Sequence, residues 1–384
     1  MSPNTNIDLK YWTEYSNLQK TKHDLIRFYL GGWFAKLGSW SGRVLYFDTH
    51  AGRGKYLSGE LGSPLVALTT LLTHSARDRL LQNCKFSFFL IEKDDENLRH
   101  LTKEIEELGE LPKGIDVQPM VGDFSQRLEE VLTFLNDRHS RMAPAFVFVD
   151  PYGFSLPGSL LREVMNSGKV ELFVNVIWRE LDMAIAQAKQ GSSNAAGLAK
   201  TLDTVFGGPD WRARIDSPDF DTRANQAVDL LAEMLGARWA THIRMLGDNR
   251  VTRYLLLHLT NHDDGRDLMK DCMWRVCPDG GFYARKSDDV SQEYLILPTA
   301  DLRPLRKKIL ERLSDRPQRW HELLDWLRAE VWRAPHLTEA LRELRAQKTI
   351  EGEDFDGRFG PKADPLLRLA AKQVKNGTPS GNLA

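Results

Sequence analysis

Tyr46-Phe-Asp-Thr-His-Ala-Gly-Arg-Gly-Lys-Tyr56, with Val44-Leu45 before it and Gly62-Ser-Pro-Leu65 after it, decides how the chain folds. Val44–Phe47 is a short apolar run of β-forming residues that stops at a carboxylate, Asp48. Gly52 and Gly54 then permit positive φ and a close approach of the main chain to a ligand. Ser63-Pro64 opens the helical run Leu65–Leu72, with serine at the expected N-cap and proline at the first helical position. Strand, glycine-bearing loop and helix in that order form the first unit of a doubly wound α/β sheet. The loop is longer than a tight dinucleotide-binding turn, which argues against a nicotinamide cofactor.

The alternation continues outward. Phe86–Ile91 reads as a buried strand ending at Glu92, and Ile115–Val121 as a second ending at Gly122-Asp123-Phe124. Ala145–Val149 runs into Asp150-Pro151-Tyr152-Gly153, and Glu171–Trp178 and Tyr254–Thr260 are further strands. Short hydrophobic runs separated by helical stretches predict a parallel sheet with both faces covered. An amphipathic helix is expected over residues 8–37. Residues 180–245 read as mostly helical, an insertion serving as a lid or substrate-facing cap. These features assign residues 1–298 to one α/β domain. Residues 299–372 offer three helical segments and a short hairpin, the outline of a winged-helix module. Residues 373–384 read as a disordered tail.

Composition bounds the function. Of 384 residues, 42% are hydrophobic and 27% charged, proportions of a soluble globular protein. Lys and Arg number 52 against 53 Asp and Glu, a net charge of −1. That excludes a globally basic nucleic-acid binder while leaving room for a local basic module. Residues 301–384 carry 17 Lys and Arg against 13 acids, a net +4, which leaves −5 on the remainder. Cys84, Cys272 and Cys277 are too few and too scattered for a disulfide framework or a four-cysteine zinc site. His258 and His262 have i, i+4 spacing, but His258 falls in an expected strand and no third ligand is evident, so no metal is expected. No apolar run approaches the roughly 18 residues of a membrane span. With no signal-type charge pattern at Met1–Asn6, the expectation is a cytoplasmic chain without a membrane partner.

In a doubly wound sheet, ligands gather at the carboxyl ends of the strands. Glu92 there suits a ribose diol, or is a solvated strand-end carboxylate. Asp123 suits an exocyclic amine with the Phe124 ring over an adenine face, or is a helix N-cap. Asp150 suits an amino group with Tyr152 stacked on a planar substrate, or Asp150–Gly153 is a turn.

Tyr46–Tyr56 with Gly62–Leu65 resembles the ribosomal-RNA adenine-N6 methyltransferases of the class I, S-adenosylmethionine-dependent fold. A nearer resemblance is to the three-Cys-motif partner protein family, itself methyltransferase-like, over roughly residues 15–280. It rests also on Lys22-His23, Phe146–Phe154, Trp178-Arg179 and Tyr254–His262. The resemblance implies S-adenosylmethionine as cofactor. Asp48, His50, Gly52 and Gly54 would surround its methionine end, with contacts from Ser63 and Lys22. Glu92 would hold the ribose, Asp123 the adenine amine with Phe124 beside it, and Asp150-Pro151-Tyr152 the catalytic position. It also implies a protein partner bearing a three-cysteine motif, similar to radical-SAM enzymes. Adenine-amine enzymes resemble Asp/Asn-Pro-Pro-Tyr/Phe, whereas Asp150-Pro-Tyr-Gly153 lacks the second proline and is also similar to the motif of tRNA guanine-N2 methyltransferases.

Two functions follow as expectations: methyl transfer to an exocyclic amine of DNA or RNA, or non-catalytic binding to the three-cysteine partner. In the C-terminal module, Trp332–Arg345 resembles a recognition helix. Arg333, His336, Arg342 and Arg345 would face phosphates or base edges, although Glu351, Glu353, Asp354 and Asp356 put acids where a nucleic-acid-binding wing prefers bases.

Overall fold

In β1 (Arg43–Asp48), Tyr46 points to one side of the sheet while Leu45 and Phe47 point to the other. That alternation repeats across the sheet and positions the site. The computed structural model describes residues 12–191, 193–247, 249–278, 283–285, 300–353 and 357–370. They divide into two compact units, up to residue 298 and from residue 299. The expected tail, and Asp354 and Asp356, lie outside the described residues.

The first unit opens with α1 (Asn17–Gly38). The helix expected over residues 8–37 is interrupted at residues 14–16, where Ser16 caps α1 by accepting from the Gln19 amide; residues 8–11 lie outside the described residues. After β1 come α2 (Ser63–Leu72), α3 (Arg77–Asn83), β2 (Lys85–Glu92), α4 (Asp95–Glu106), β3 (Ile115–Val121) and α5 (Phe124–Asp137). β4 (Met142–Val149), α6 (Gly158–Asn166) and β5 (Gly168–Val176) complete the parallel part. Four helices follow: α7 (Trp178–Gln190), α8 (Ala195–Phe206), α9 (Trp211–Arg214) and α10 (Phe220–Leu235). Then come β6 (Trp239–Leu246), β7 (Thr252–Thr260), α11 (Asp263–Val276) and β8 (Tyr283–Arg285).

The strand order is β3-β2-β1-β4-β5-β7-β6-β8, with β7 antiparallel to both neighbours and the other pairs parallel. This is a Rossmann-like, doubly wound α/β sheet, mostly parallel. The order reverses between β1 and β4, so the crevice expected of such sheets opens at their carboxyl ends.

Each sheet face has its own core. Tyr46, Phe146, Phe148 and Phe173 meet Tyr29, Trp33 and Phe34 of α1 in a chain of aromatic contacts. Lys22, Ile26, Tyr29 and Trp33 recur at three- and four-residue steps, so one buried face of α1 crosses this side. The opposite face, with Val147, Val149, Leu172, Val174 and Val176, packs against aliphatic residues of α6, α7, α8 and α10.

This second core revises the expected lid over residues 180–245. Leu181, Ile185, Leu202, Val205, Val228 and Leu231 are buried against the sheet, so α7–α10 form the crossover from β5 to β6. Residues 239–246 are a strand. The charge of Arg244 disguises that strand in the sequence, and its partners Asp221 and Asn225 belong to α10. No helix among the described residues is long and apolar enough to cross a membrane.

The second unit runs α12 (Arg303–Asp315), β9 (Gln318–Arg319), α13 (Trp320–Leu327), α14 (Ala334–Ala346), β10 (Ile350–Glu353) and β11 (Leu366–Leu369). Its strands form an antiparallel sheet ordered β10-β11-β9. Leu305, Ile309, Leu323, Leu337, Leu341, Leu344 and Leu367 fill its core.

Candidate active site

Strand parity brings the polar strand ends together. Asp48 shares the α1-facing parity of Tyr46, Asp150 that of Phe148, and Asn175 that of Phe173. Val149 pairs with Val174, so the next residues, Asp150 and Asn175, stand side by side where the strands end. A cleft of about 390 Å³ opens there, and Lys22, His50, Gly52, Ser63, Asp150, Pro151 and Tyr152 line it.

Asp150 is held from two sides. The Lys22 ammonium donates to one carboxylate oxygen at 2.6 Å and the Asn175 amide to the other at 2.6 Å. Burial works to raise this carboxyl, yet the Lys22 charge and these hydrogen bonds win and hold it below the ordinary aspartate value. Asn175 spends its NH2 on Asp150, which leaves its buried Oδ1 without a hydrogen-bond partner among the described residues. A buried acceptor left over inside a cleft is costly unless a ligand donates to it. The resemblance placed Lys22 at the cofactor. The structure places it on Asp150 and over the Phe148 ring, 5.9 Å from its centroid.

The glycine loop forms the next wall. Gly52 has φ +61°, and a Cβ there would strike the Trp12 ring at 2.3 Å. Gly54 has φ +82°, and its Cβ would meet Leu101 at 2.7 Å, so its smallness serves loop packing. Glu92 accepts from the Gly52 amide at 2.7 Å and the Asp94 amide at 2.9 Å, which ties the end of β2 to the loop. Burial raises its pKa against the pull of those amides.

Asp48 is fully buried. Burial raises its pKa to about 7, opposed by hydrogen bonds from the Ser63 hydroxyl and the His50 amide. Ser63 is therefore not the N-cap: Gly62 is, and Ser63 is the first helical residue, its hydroxyl turned to Asp48. Burial lowers His50 to about 4 and His23 to about 3, so both rings are neutral at pH 7.

Asp123 is the N-cap of α5, accepting from the Ser125 amide at 2.9 Å, and is exposed. Phe124 stands beside His50, ring centroids 4.8 Å apart. Tyr152 is 72% exposed at the cleft mouth. Sequence reading missed Asn175, Trp12, Tyr56 and Arg253, which also line the cleft. Asn175 was open to detection, since it sits one residue before the end of a strand of the right parity.

His258 of β7 binds Glu171 at 2.9 Å while His262 caps α11. Among the described residues, no group of three His, Cys, Asp or Glu is placed to hold a metal. In the second unit, Arg342 and Arg345 are exposed on α14, whereas Arg333 is half-buried over His336, 3.4 Å from its ring. His336 is buried, and burial followed by the Arg333 charge lowers its pKa to about 4. Glu351 and Glu353 both pair with Arg368, at 2.8 and 3.0 Å.

No family model matches the chain, and no curated protein matches it. Among solved structures, it is similar to a Legionella pneumophila protein at 12% identity, over 62% of this chain and 85% of that one, with a TM-score of 0.33. It is also similar to an O-methyltransferase from Bacillus cereus in complex with S-adenosylhomocysteine, at 9% identity over 66% and 99%, with a TM-score of 0.31. The assignment of the sheet rests on its own strand order, β3-β2-β1-β4-β5-β7-β6.

Proposed function

We propose that the chain is an S-adenosylmethionine-dependent methyltransferase acting on an exocyclic amine of DNA or RNA. One observation carries the reading: Asp150, kept ionised by Lys22, stands beside an unspent Asn175 acceptor in a cleft bounded by the glycine loop. The residues suit the cofactor. His50, Gly52 and Ser63 line the cleft, the buried Glu92 accepts from the Gly52 amide, and Phe124, next to Asp123, stands beside His50.

S-adenosylmethionine, when bound, supplies an electrophilic methyl group. The chain's own residues do the rest. An amine entering the cleft meets two acceptors, Asn175 Oδ1 and the remaining lone pairs of Asp150, which orient its nitrogen lone pair. Asp150 is also within reach to take the proton the amine sheds. Tyr152 offers a face on which the base stacks. A base in a duplex has to be flipped out to enter. The second unit, read as a winged helix, adds nucleic-acid contacts from Arg342 and Arg345, with Arg333 supporting the start of α14.

Calorimetry with S-adenosylhomocysteine tests the cofactor half. Saturable binding, weakened by Glu92→Ala, is expected; absence of binding by folded protein overturns the reading. A second reading, a non-catalytic partner of a three-cysteine-motif protein, is favoured by the Lys22 ion pair, which satisfies much of Asp150 without a substrate.

A further inference from the structure

The Asp150 cleft continues into a second one. That cleft has a volume of about 870 Å³ and shares Ile177, Glu180 and Arg253 with the first. Its wall includes Arg179 and Met183 of α7, Phe220 at the start of α10, and Val251 and Arg253 at the start of β7. Met183 and Val251 are 50% and 41% exposed, large apolar side chains left in water beside the cleft.

Its charges are distributed unevenly. Elsewhere in the crossover the arginines are committed: Arg212 to Asp203, Arg214 to Glu233 and Arg223 to Asp182, each at 2.7 Å. Asp182 belongs to this cleft but is spent on Arg223. Arg179 and Arg253 are exposed and make no ion pair among the described residues. Glu180, the other carboxylate here, stands toward Gly153 at the rim of the first cleft. Two uncommitted guanidinium forks beside exposed apolar side chains suit an anion repeated along a chain of flat groups.

We propose that the second cleft holds the sugar-phosphate backbone of a single-stranded polynucleotide next to the target base. Arg179 and Arg253 take its phosphates, Met183, Phe220 and Val251 meet the neighbouring base, and the target base passes Tyr152 into the Asp150 cleft. This deepens the amine-methyltransferase reading and rests on it for the direction of entry.

The test is fluorescence anisotropy of the full chain with labelled mixed-sequence single strands of about 12 nucleotides, both RNA and DNA. The Arg179→Ala/Arg253→Ala double variant is expected to bind about 10- to 50-fold more weakly. Its salt dependence should be shallower by about 1.4, at about 0.7 for each phosphate left without its arginine. Arg212→Ala should bind like the wild type, and adenosine monophosphate should fail to compete. Double-variant affinity within about twofold of wild type overturns the proposal. So does a loss confined to Arg342→Ala, which moves the strand to the second unit, or full competition by the mononucleotide, which makes this a free-phosphate site. S-adenosylhomocysteine calorimetry on the same proteins separates the two readings. Cofactor binding with arginine-independent strand binding removes only the groove. Arginine-dependent strand binding without cofactor binding removes only the methyltransferase.

Discussion

Glu171 and Asn175 occupy one face of β5, four residues and roughly 13 Å apart, with Phe173 between them. Both are buried polar side chains beneath α1, and their surroundings differ in one respect. Glu171 is saturated: the Tyr29 hydroxyl, Trp33 Nε1 at 3.0 Å and His258 Nε2 at 2.9 Å all donate to it. Gly265 packs so closely that a Cβ there would sit 2.9 Å from the carboxylate. The atom left over there, His258 Nδ1, has no partner among the described residues and lies at 0% exposure, beyond the reach of a ligand. Asn175 also leaves an acceptor unsatisfied, but in the wall of a cleft beside an ionised Asp150. Burial and hydrogen bonding alone therefore do not mark a site. A buried acceptor left over in the wall of a cleft, beside an ionised carboxylate, does.

The sharpest separation comes from removing each side chain. Glu171→Ala strands three buried donors and should cost about 3–5 kcal/mol of stability in urea denaturation. Asn175→Ala should cost about 1 kcal/mol, yet lower methyl transfer about 100-fold. Equal stability losses, or an Asn175→Ala enzyme of normal rate, would erase the contrast. A smaller effect is expected at the neighbouring strand end: Glu92→Ala should weaken S-adenosylhomocysteine about 10- to 30-fold by calorimetry, through hydrogen bonds to a charged group worth about 1.5–2 kcal/mol. Glu171→Gln should leave that affinity unchanged.

The smallest effect is a pH slope. Burial raises Asp48 to about 7, above the roughly 3.9 of an unfolded aspartate, so the folded state holds this proton more tightly. Its contribution to stability is full below about pH 4 and is lost as pH rises toward 7. Denaturation between pH 4 and 8 should show Asp48→Asn losing less stability than the wild type over that window, and parallel curves would exclude the shift.

The strand ends were legible because a carboxylate after four or five apolar residues is a local pattern, and Asp48, Glu92 and Asp150 all follow it. Strand order turns that local pattern into a site, and β1 beside β4 supplies it. Partners were not legible. Lys22 meets Asp150 across 128 residues, so resemblance alone assigned it to the cofactor. Trp239–Leu246 hid as a strand because Arg244 is neutralised by α10, which lies far enough along the chain that no local pattern reveals it. Arg333 reads as exposed in the sequence and is half-buried because it closes over His336. Glu171 opens the expected strand Glu171–Trp178, and only the packing of α1, β5 and β7 makes it a buried centre.

Methyl transfer from isotopically labelled S-adenosylmethionine to pooled single-stranded nucleic acid, with wild-type and Asp150→Ala protein of equal S-adenosylhomocysteine affinity, tests the central claim most directly. Label on an exocyclic amine, reduced about 1,000-fold or more in Asp150→Ala, is the predicted result. No transfer by cofactor-loaded wild type, or transfer undiminished in Asp150→Ala, would contradict it.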